Sequence, residues 1–291
     1  EMLSQGQLNA IKKIIYSRKT NYDRLVVNLP KAWTTTRVFQ FPTKDRKTIH
    51  SSLTFELEDE IPFSMENIIF DFVSLNYDGT NSMVFSGVAL KSDILAFLSE
   101  IQPLGMNPDS ITVDSWGISH ILKKATPEEY EGRPVCIVNM GHRQTSIHMF
   151  VGSNPVLTHV SSYGGEDITK RIAQVYGLTF DQAEKAKIDG AFLLTKTHFT
   201  SDGMGPISED QMIFSDTIAV SLEPIIRDIK QTLMSYKSQY KLSPRAIFVT
   251  GGSSLIQNLP LYFEEHLKIP VFPFSYMSRV IGQTLQISEV S

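Results

Sequence analysis

Three apolar runs of strand composition, Val135–Asn139, Thr145–Val151 and Pro155–Ser161, succeed one another with only Gly141-His142-Arg143 and Gly152-Ser153-Asn154 as turn material between them. Turns that short join neighbouring strands as hairpins. Two helices are predicted next, one with Ile168, Ile172, Val175 and Tyr176 on its apolar face and one over Asp181–Lys187. Residues 195–211, rich in Thr, Ser, Asp and Gly, read as a loop. In the long helix predicted over Asp216–Tyr240, Ile218, Leu222, Ile225, Ile229 and Leu233 recur at helical spacing; Pro224 should bend it or mark its first turn. Ala246–Thr250 reads as a buried strand, Gly251-Gly252 as a tight turn and Leu259–Leu267 as a helix. A hydrophobic run, Ile269–Phe274, and a polar tail close the chain.

A first α/β unit precedes this one. Residues 7–16 place Leu8, Ile11, Ile14 and Ile15 on one helical face. Strands are expected at Leu25–Leu29, stopped by Pro30, and at Thr34–Phe41, stopped by Pro42. A helix from Arg46 carries Ile49, Leu53 and Leu57, ends in the acidic stretch Glu56–Glu60 and is broken by Pro62. Ile68–Leu75 and Met83–Leu90 read as strands around Asp78-Gly79. A helix over Ser92–Ile101 should turn Ile94, Leu95 and Leu98 inward, and a short strand, Ile111–Val113, ends at Asp114 before a helix near 115–123. The polar stretch Lys123–Gly132 divides the chain into 1–132 and 133–291.

Composition narrows the function. The 42% apolar and 20% charged content is that of an ordinary globular protein, and 291 residues suffice for a substantial core. A net charge of −4 provides no basic footprint, so nucleic acid is not an expected partner. The single cysteine, Cys136, lies inside an apolar strand, which excludes an intrachain disulfide framework and fits a reducing cytoplasm. No apolar run approaches membrane-spanning length and no signal peptide is visible. Because the chain opens on Glu1 rather than Met, it reads as a fragment whose missing end could carry an anchor or a further motif.

Four motifs could carry chemistry. In V-C-I-V-N-M-G-H-R-Q-T-S, Val135–Ser146, a strand ends in Asn139, with Gly141 and Thr145 following. That is either a phosphate-binding hairpin, with backbone N–H groups and a hydroxyl as donors, or an ordinary turn needing glycine. Y-G-G-E-D-I-T, Tyr163–Thr169, puts Gly164 and Gly165 before a helix, as an anion site or a loop-packing site. Glu184 and Lys187 are helix neighbours that could hold a ribose and an adenine edge, or form a solvated surface pair. I-F-V-T-G-G-S-S, Ile247–Ser254, runs a buried strand into Gly251 and Gly252 at the end where α/β folds bind ligands.

In this order, the motifs resemble the C-terminal half of the actin-like ATPase (ribonuclease H-like) fold, in wording similar to FtsA and especially PilM. Upstream, the strand closing on Asn28-Leu29-Pro30, the Phe41-Pro42 step and F-E-L-E-D-E-I-P-F at Phe55–Phe63 before Asp71 are similar to PilM and GspL proteins. The resemblance covers nearly the whole chain. It implies an α/β fold of mixed sheets flanked by helices, with an incomplete N-terminal part: the family's first phosphate loop, an Asp-x-Gly before a helix like residues 7–16, is absent. It also implies ATP or ADP with Mg²⁺, phosphates at Gly141 and Thr145 beside Asn139 and Gly165, the nucleoside at Glu184 and Lys187, and Gly251 and Gly252 near base and sugar. Where the family has Asp, this chain has Asn139, and a neutral amide orders Mg²⁺ poorly. Binding is therefore expected to be weak or absent, hydrolysis slight or nil, and no residue is assigned as catalytic or metal-binding. Arg143 either restores some positive charge or is an exposed turn arginine.

The implied function is a cytoplasmic scaffold, peripheral to the bacterial inner membrane, in a type IV pilus or type II secretion machine. PilM-like proteins are expected to grip an N-terminal segment of a PilN-type membrane protein; GspL-like ones carry their own membrane helix and meet GspE- or GspM-type partners. The Glu56–Glu60 patch either faces a basic partner segment or is a solvated helix face. The alternative is an active ATPase of the FtsA type, in cell division or filament formation. A sugar kinase would need a hinge carboxylate, for which Asp114 is the best available residue.

Overall fold

The chain divides by its internal contacts into two units, Glu1–Ile118 and Ser119–Ser291. The computed structural model describes residues 3–17, 24–29, 31–125, 128–199 and 207–274. Pro30 as a strand stop, residues 126–127 of the polar stretch, 200–206 of the expected loop and the polar tail lie outside the described residues.

The first unit contains α1 (Gln5–Ser17), β1 (Val26–Asn28), β2 (Thr34–Phe41), α2 (Arg46–Glu60), β3 (Ile68–Tyr77), β4 (Ser82–Leu90), α3 (Lys91–Ile101), β5 (Ser110–Thr112) and the start of α4 (Asp114–Ala125). Helix α2 starts where Asp45 caps it, accepting from Thr48 N at 2.8 Å. It stops before Pro62, with Ile61 N–H making the last helical bond to Leu57 O. Its stripe of Ile49, Leu53 and Leu57 is fully buried against Phe39, Phe41, Phe72, Val84 and Val88 of an antiparallel sheet ordered β2-β4-β3. Each such side chain contributes roughly 1.5–3 kcal/mol by leaving water. Separately, β1 and β5 pair in parallel, and Asp109 Oδ2 accepts from Leu25 N at 2.7 Å. Val27, Leu29, Phe97 and Ile101 form a second core, with Leu8 and Ile11 of α1 against it.

Three expectations about this unit are corrected. Leu95 is 67% exposed, because the stripe that faces inward is Ile94, Phe97, Leu98 and Ile101, and Leu95 lies about 100° away from Ile94 around the helix. Ile14, assigned to the apolar face of α1, is also exposed. Asp114 opens α4 instead of ending a strand, and its carboxylate is paired with the buried Lys31 at 3.1 Å.

The second unit contains β6 (Pro134–Met140), β7 (Thr145–Val151), β8 (Asn154–Ser161), α5 (Gly165–Tyr176), α6 (Phe180–Gly190), α7 (Glu209–Tyr240), β9 (Ala246–Thr250), α8 (Leu259–Leu267) and β10 (Val271–Pro273). They form a mixed sheet ordered β10-β9-β6-β7-β8, in which the hairpins β6-β7-β8 are antiparallel and β9 joins β6 in parallel. Helix α7 packs on β7 and β8, α5 on α6 and α7, and α8 on β10. Val135 to Val138 are buried, as expected of a central strand, and Cys136 among them has its thiol pushed up by burial to about 12.

Helix α7 begins at Glu209, not Asp216. Ser208 and Gln211 form a reciprocal capping box, and the polar first turn carries no apolar periodicity that would reveal it in the sequence. Pro224 lies inside the helix instead of marking its first turn. Val175 and Tyr176, placed on the apolar face of α5, are about two-fifths exposed, since the helix end runs out onto the surface.

Burial pulls the Lys31 ammonium pKa down, while the charge and hydrogen bond of Asp114 push it back up. A folded pKa below the unfolded value means that stability rises with pH between the lowered value and the ordinary lysine value of 10.5. Removing the counter-charge with Asp114→Asn should destabilise the protein by about 3–5 kcal/mol at pH 7. The deficit should shrink on raising the pH towards 10. Urea unfolding at the two pH values checks both statements, and a pH-independent loss would contradict them.

Candidate functional site

The parallel pairing of β6 and β9 sets Asn139 beside Thr250 at the carboxyl edge of the sheet. Gly251 follows at φ +89°, and a Cβ there would lie 2.3 Å from Met140 O and 2.8 Å from Asn139 Oδ1. Only glycine fits so close a backbone approach. The β6–β7 hairpin closes with Gly141 N donating to Gln144 O at 3.0 Å.

Helix α5 begins against that hairpin. Gly165 N donates to Gly141 O at 2.9 Å and Glu166 N to His142 O at 2.7 Å, while Gly164 N donates to Asp167 Oδ2 at 2.8 Å. The amides that a helix start leaves without intrahelical partners are thus spent within the chain. Gly164 has no room for a side chain, since its Cβ would sit 2.5 Å from His142 O. Of the two uses foreseen for the Gly-Gly pair, loop packing is the one this geometry realises.

Lys187 on α6 completes the cluster. Its ammonium donates to Gly165 O at 3.0 Å and to Thr169 Oγ1 at 2.7 Å, and pairs with Glu184 Oε2 at 2.7 Å. All three of its protons are engaged. The Thr169 hydroxyl in turn donates a hydrogen bond to Glu184 Oε2. With only 9% of its side chain exposed, Lys187 ties α6 to α5, so this is not a solvated surface pair. Burial alone would raise the Glu184 carboxyl, but the hydrogen bonds from Lys187 and Thr169, and the charges of Lys187 and His142, bring it below the usual carboxylate range.

Asn139, Gly141, Gly165, Glu184, Lys187 and Gly251 thus come together from four stretches of chain, with Gly252 adjacent. Nothing lies within 4 Å of a Cβ built on Gly252, which leaves its backbone open. Thr145 is completely buried and donates its hydroxyl to Tyr163 O at 2.9 Å, so that proton is committed inside the fold. Arg143 is 77% exposed and 3.7 Å from Glu166, which is paired more closely with Lys170 at 2.9 Å. Thr169 and Ser253 had no assigned role, although both lie in the quoted motifs. Ser253 Oγ sits 2.4 Å from a Cβ built on Gly165, a closeness between residues 88 positions apart (253 − 165) that no local pattern reveals. Among the described residues no group of His, Cys, Asp and Glu could hold a metal ion. The Gly252 backbone is open, whereas the Lys187 ammonium is already committed and Asn139 offers Mg²⁺ no anionic oxygen.

A family model described as type IV pilus assembly protein PilM matches residues 5–286. The cell division protein FtsA of Enterococcus faecalis is 26% identical over 174 residues, 53% of this chain and 39% of that protein. The FtsA of Buchnera aphidicola is 28% identical over 153 residues, 47% of this chain and 36% of its own. The match therefore spans less than two-fifths of these curated relatives. A solved PilM-PilN type IV pilus biogenesis complex superposes with a TM-score of 0.75 at 20% identity, covering 96% of this chain and 79% of that one. The fold is that of the actin-like ATPase superfamily, with mixed sheets flanked by helices.

Gly251→Ala should be destabilising by about 1–3 kcal/mol from its φ alone, with the Met140 contact adding to that. Gly252→Ala should stay within about 0.5 kcal/mol of wild type. Urea unfolding of the two variants distinguishes them, and equal losses would contradict the geometry. A second expectation concerns acid. Because the folded Glu184 carboxyl titrates below its unfolded value, its contribution is present above the ordinary carboxylate pKa and is lost as pH falls through the lowered one. The stability difference between wild type and Glu184→Gln should accordingly vanish on acidification through that range, as followed by thermal melting.

Proposed function

This chain belongs to the PilM family of type IV pilus assembly proteins, and from that premise we propose that it acts as an actin-like scaffold at the cytoplasmic face of the bacterial inner membrane. In this reading it grips a segment of a PilN-type membrane protein and carries a weak adenine-nucleotide site with little or no hydrolysis. The observation that carries the reading is the family match across 5–286. A PilN-type partner is preferred to a GspE- or GspM-type one because the matching family is PilM and the superposed structure pairs PilM with PilN. Among the described residues no helix is long and apolar enough to cross a membrane.

Residues 133–291 form the nucleotide half in this reading, and 1–132 the N-terminal subdomains. When bound, Mg²⁺-nucleotide would supply the charge that organises the crevice. The open backbone at Gly252 would let base and sugar approach, and the Asn139 amide would orient a phosphate-side ligand without drawing in the metal. The hydrogen bonds of Lys187 already link α6 to α5. A nucleoside that accepts from the Lys187 ammonium must replace one of these bonds, so occupancy there would loosen the α5–α6 seam. The commitment of the Thr145 hydroxyl to Tyr163 O and the neutral amide of Asn139, where the resembling family carries an acid, support the reading of little or no hydrolysis. The FtsA similarity over half the chain supports a second reading, an active ATPase.

Calorimetric titration of Mg-ATP and Mg-ADP should give measurable binding to wild type. Gly252→Asp, which adds a carboxylate in open space, should weaken it by about tenfold or more, worth roughly 1.4 kcal/mol, without lowering the melting temperature. Asn139→Asp should strengthen the Mg²⁺ dependence. Steady multiple-turnover phosphate release by wild type would favour the FtsA-type reading. A synthetic N-terminal segment of a PilN-type protein should bind the same protein, and its failure to bind would remove the scaffold reading.

A further inference from the structure

At the amino ends of β6 and β9, opposite the carboxyl-end cluster, lies a groove of about 520 Å³. Arg133 and Pro134 line it at the entry to β6, and Lys241, Leu242, Pro244 and Arg245 line it in the connector from α7 to β9. Backbone bonds fix both arginine positions. Arg245 N donates to Pro134 O at 2.8 Å, and Arg133 N donates to Tyr130 O at 3.0 Å. Both side chains are exposed. Among the described residues neither guanidinium has an ion-pair or hydrogen-bond partner. The Lys241 ammonium folds back onto Ser238 O at 2.8 Å, where it complements the last carbonyls of α7. No acidic residue lines the groove, although the whole chain carries a net charge of −4. Leu242 is 52% exposed, and with the two prolines it gives the groove an apolar wall.

We propose that this groove docks a short acidic segment of a partner protein, with carboxylates on Arg133 and Arg245 and an apolar side chain against Leu242 and Pro244. The guanidinium fork matches a carboxylate bidentately, and arginine held on fixed backbone loses less freedom on binding than a long loop side chain would. A volume of this size suits a few side chains, within the roughly 300–1,000 Å³ common for ligand sites. Nucleic acid and anionic membrane present extended negative charge, for which a chain of net charge −4 with two unpaired arginines offers no extended basic surface. An acidic peptide engages the groove alone. The groove stands apart from the nucleotide reading and does not rest on it, because β6 is seven residues long and its two ends lie roughly 20 Å apart.

The test is fluorescence anisotropy of a labelled peptide of alternating Glu and Leu, titrated with the full chain. Wild type should bind it, and the double variant Arg133→Glu, Arg245→Glu should bind about tenfold more weakly or worse. A Lys-Leu peptide should show the reverse preference. That charge exchange separates recognition from misfolding, and thermal melting of the double variant should match wild type. Equal affinity of the acidic peptide for both proteins would overturn the proposal, as would equal binding of a Gln-Leu peptide to wild type. Arginine-dependent retention on phosphatidylglycerol vesicles with no peptide binding would overturn it in favour of a membrane site. Self-association in sedimentation experiments that the double variant abolishes would overturn it in favour of a second copy.

Discussion

The parallel pairing of β6 with β9 brings two strand ends, residues 139 and 250, to the same edge of the sheet, and the contacts of the candidate site are built out from there. The hairpin after β6 offers its carbonyls to the start of α5, and the turn after β9 presses its backbone onto Met140. Neither contact tolerates a side chain, so glycines stand at 164 and 251 because backbone meets backbone there, while a Cβ at Gly165 would meet the Ser253 hydroxyl. Lys187 then joins α6 to the assembly through a main-chain carbonyl and a threonine hydroxyl.

Two ammonium–carboxylate pairs, Lys31–Asp114 buried and Lys187–Glu184 partly buried, do similar work in the separate units. Lys31 meets Asp114 across 83 positions of sequence, and Lys187 meets Glu184 while reaching α5 22 positions away. Such pairs add little net stability compared with apolar packing, because both charges must be desolvated. Their consequence is specificity. A charge deprived of its partner in these places is costly, so each pair excludes arrangements that would separate it.

The same economy of charge bears on function. Lys187 and Glu184 are already engaged with each other and with α5, and the residue where the resembling family carries an acid is the neutral Asn139. The proposed scaffold reading, a weak nucleotide site with little hydrolysis, rests on that neutral residue and on the α5–α6 hydrogen bonds of Lys187. At the other end of the same strands the balance is inverted: two guanidinium groups extend into a groove with no counter-charge. Free charge is thus found where a partner could supply its complement, and satisfied charge where the fold itself requires rigidity.

The sequence by itself determined much of the architecture. Alternating and helical periodicities, with Pro42 and Pro62 as breaks, are local properties of the chain, and they located β2, α2, the three hairpin strands, β9 and α8. The collinear order of weak motifs pointed to the actin-like fold, and the family match bears that out. Periodicity failed where burial depended on neighbours: Leu95 and Val175 satisfy an apolar pattern but meet no second surface, and the start of α7 is written in polar capping residues. Only the tertiary structure decided the meaning of the site. Whether Gly165 faces an anion or a hairpin carbonyl, whether Lys187 is solvated or locked, and where the hydroxyl of Thr145 points are set by groups distant in sequence. Hydrogen bonds between such groups leave no periodic trace, because they depend on how sheets and helices pack and not on the spacing of residues along one element.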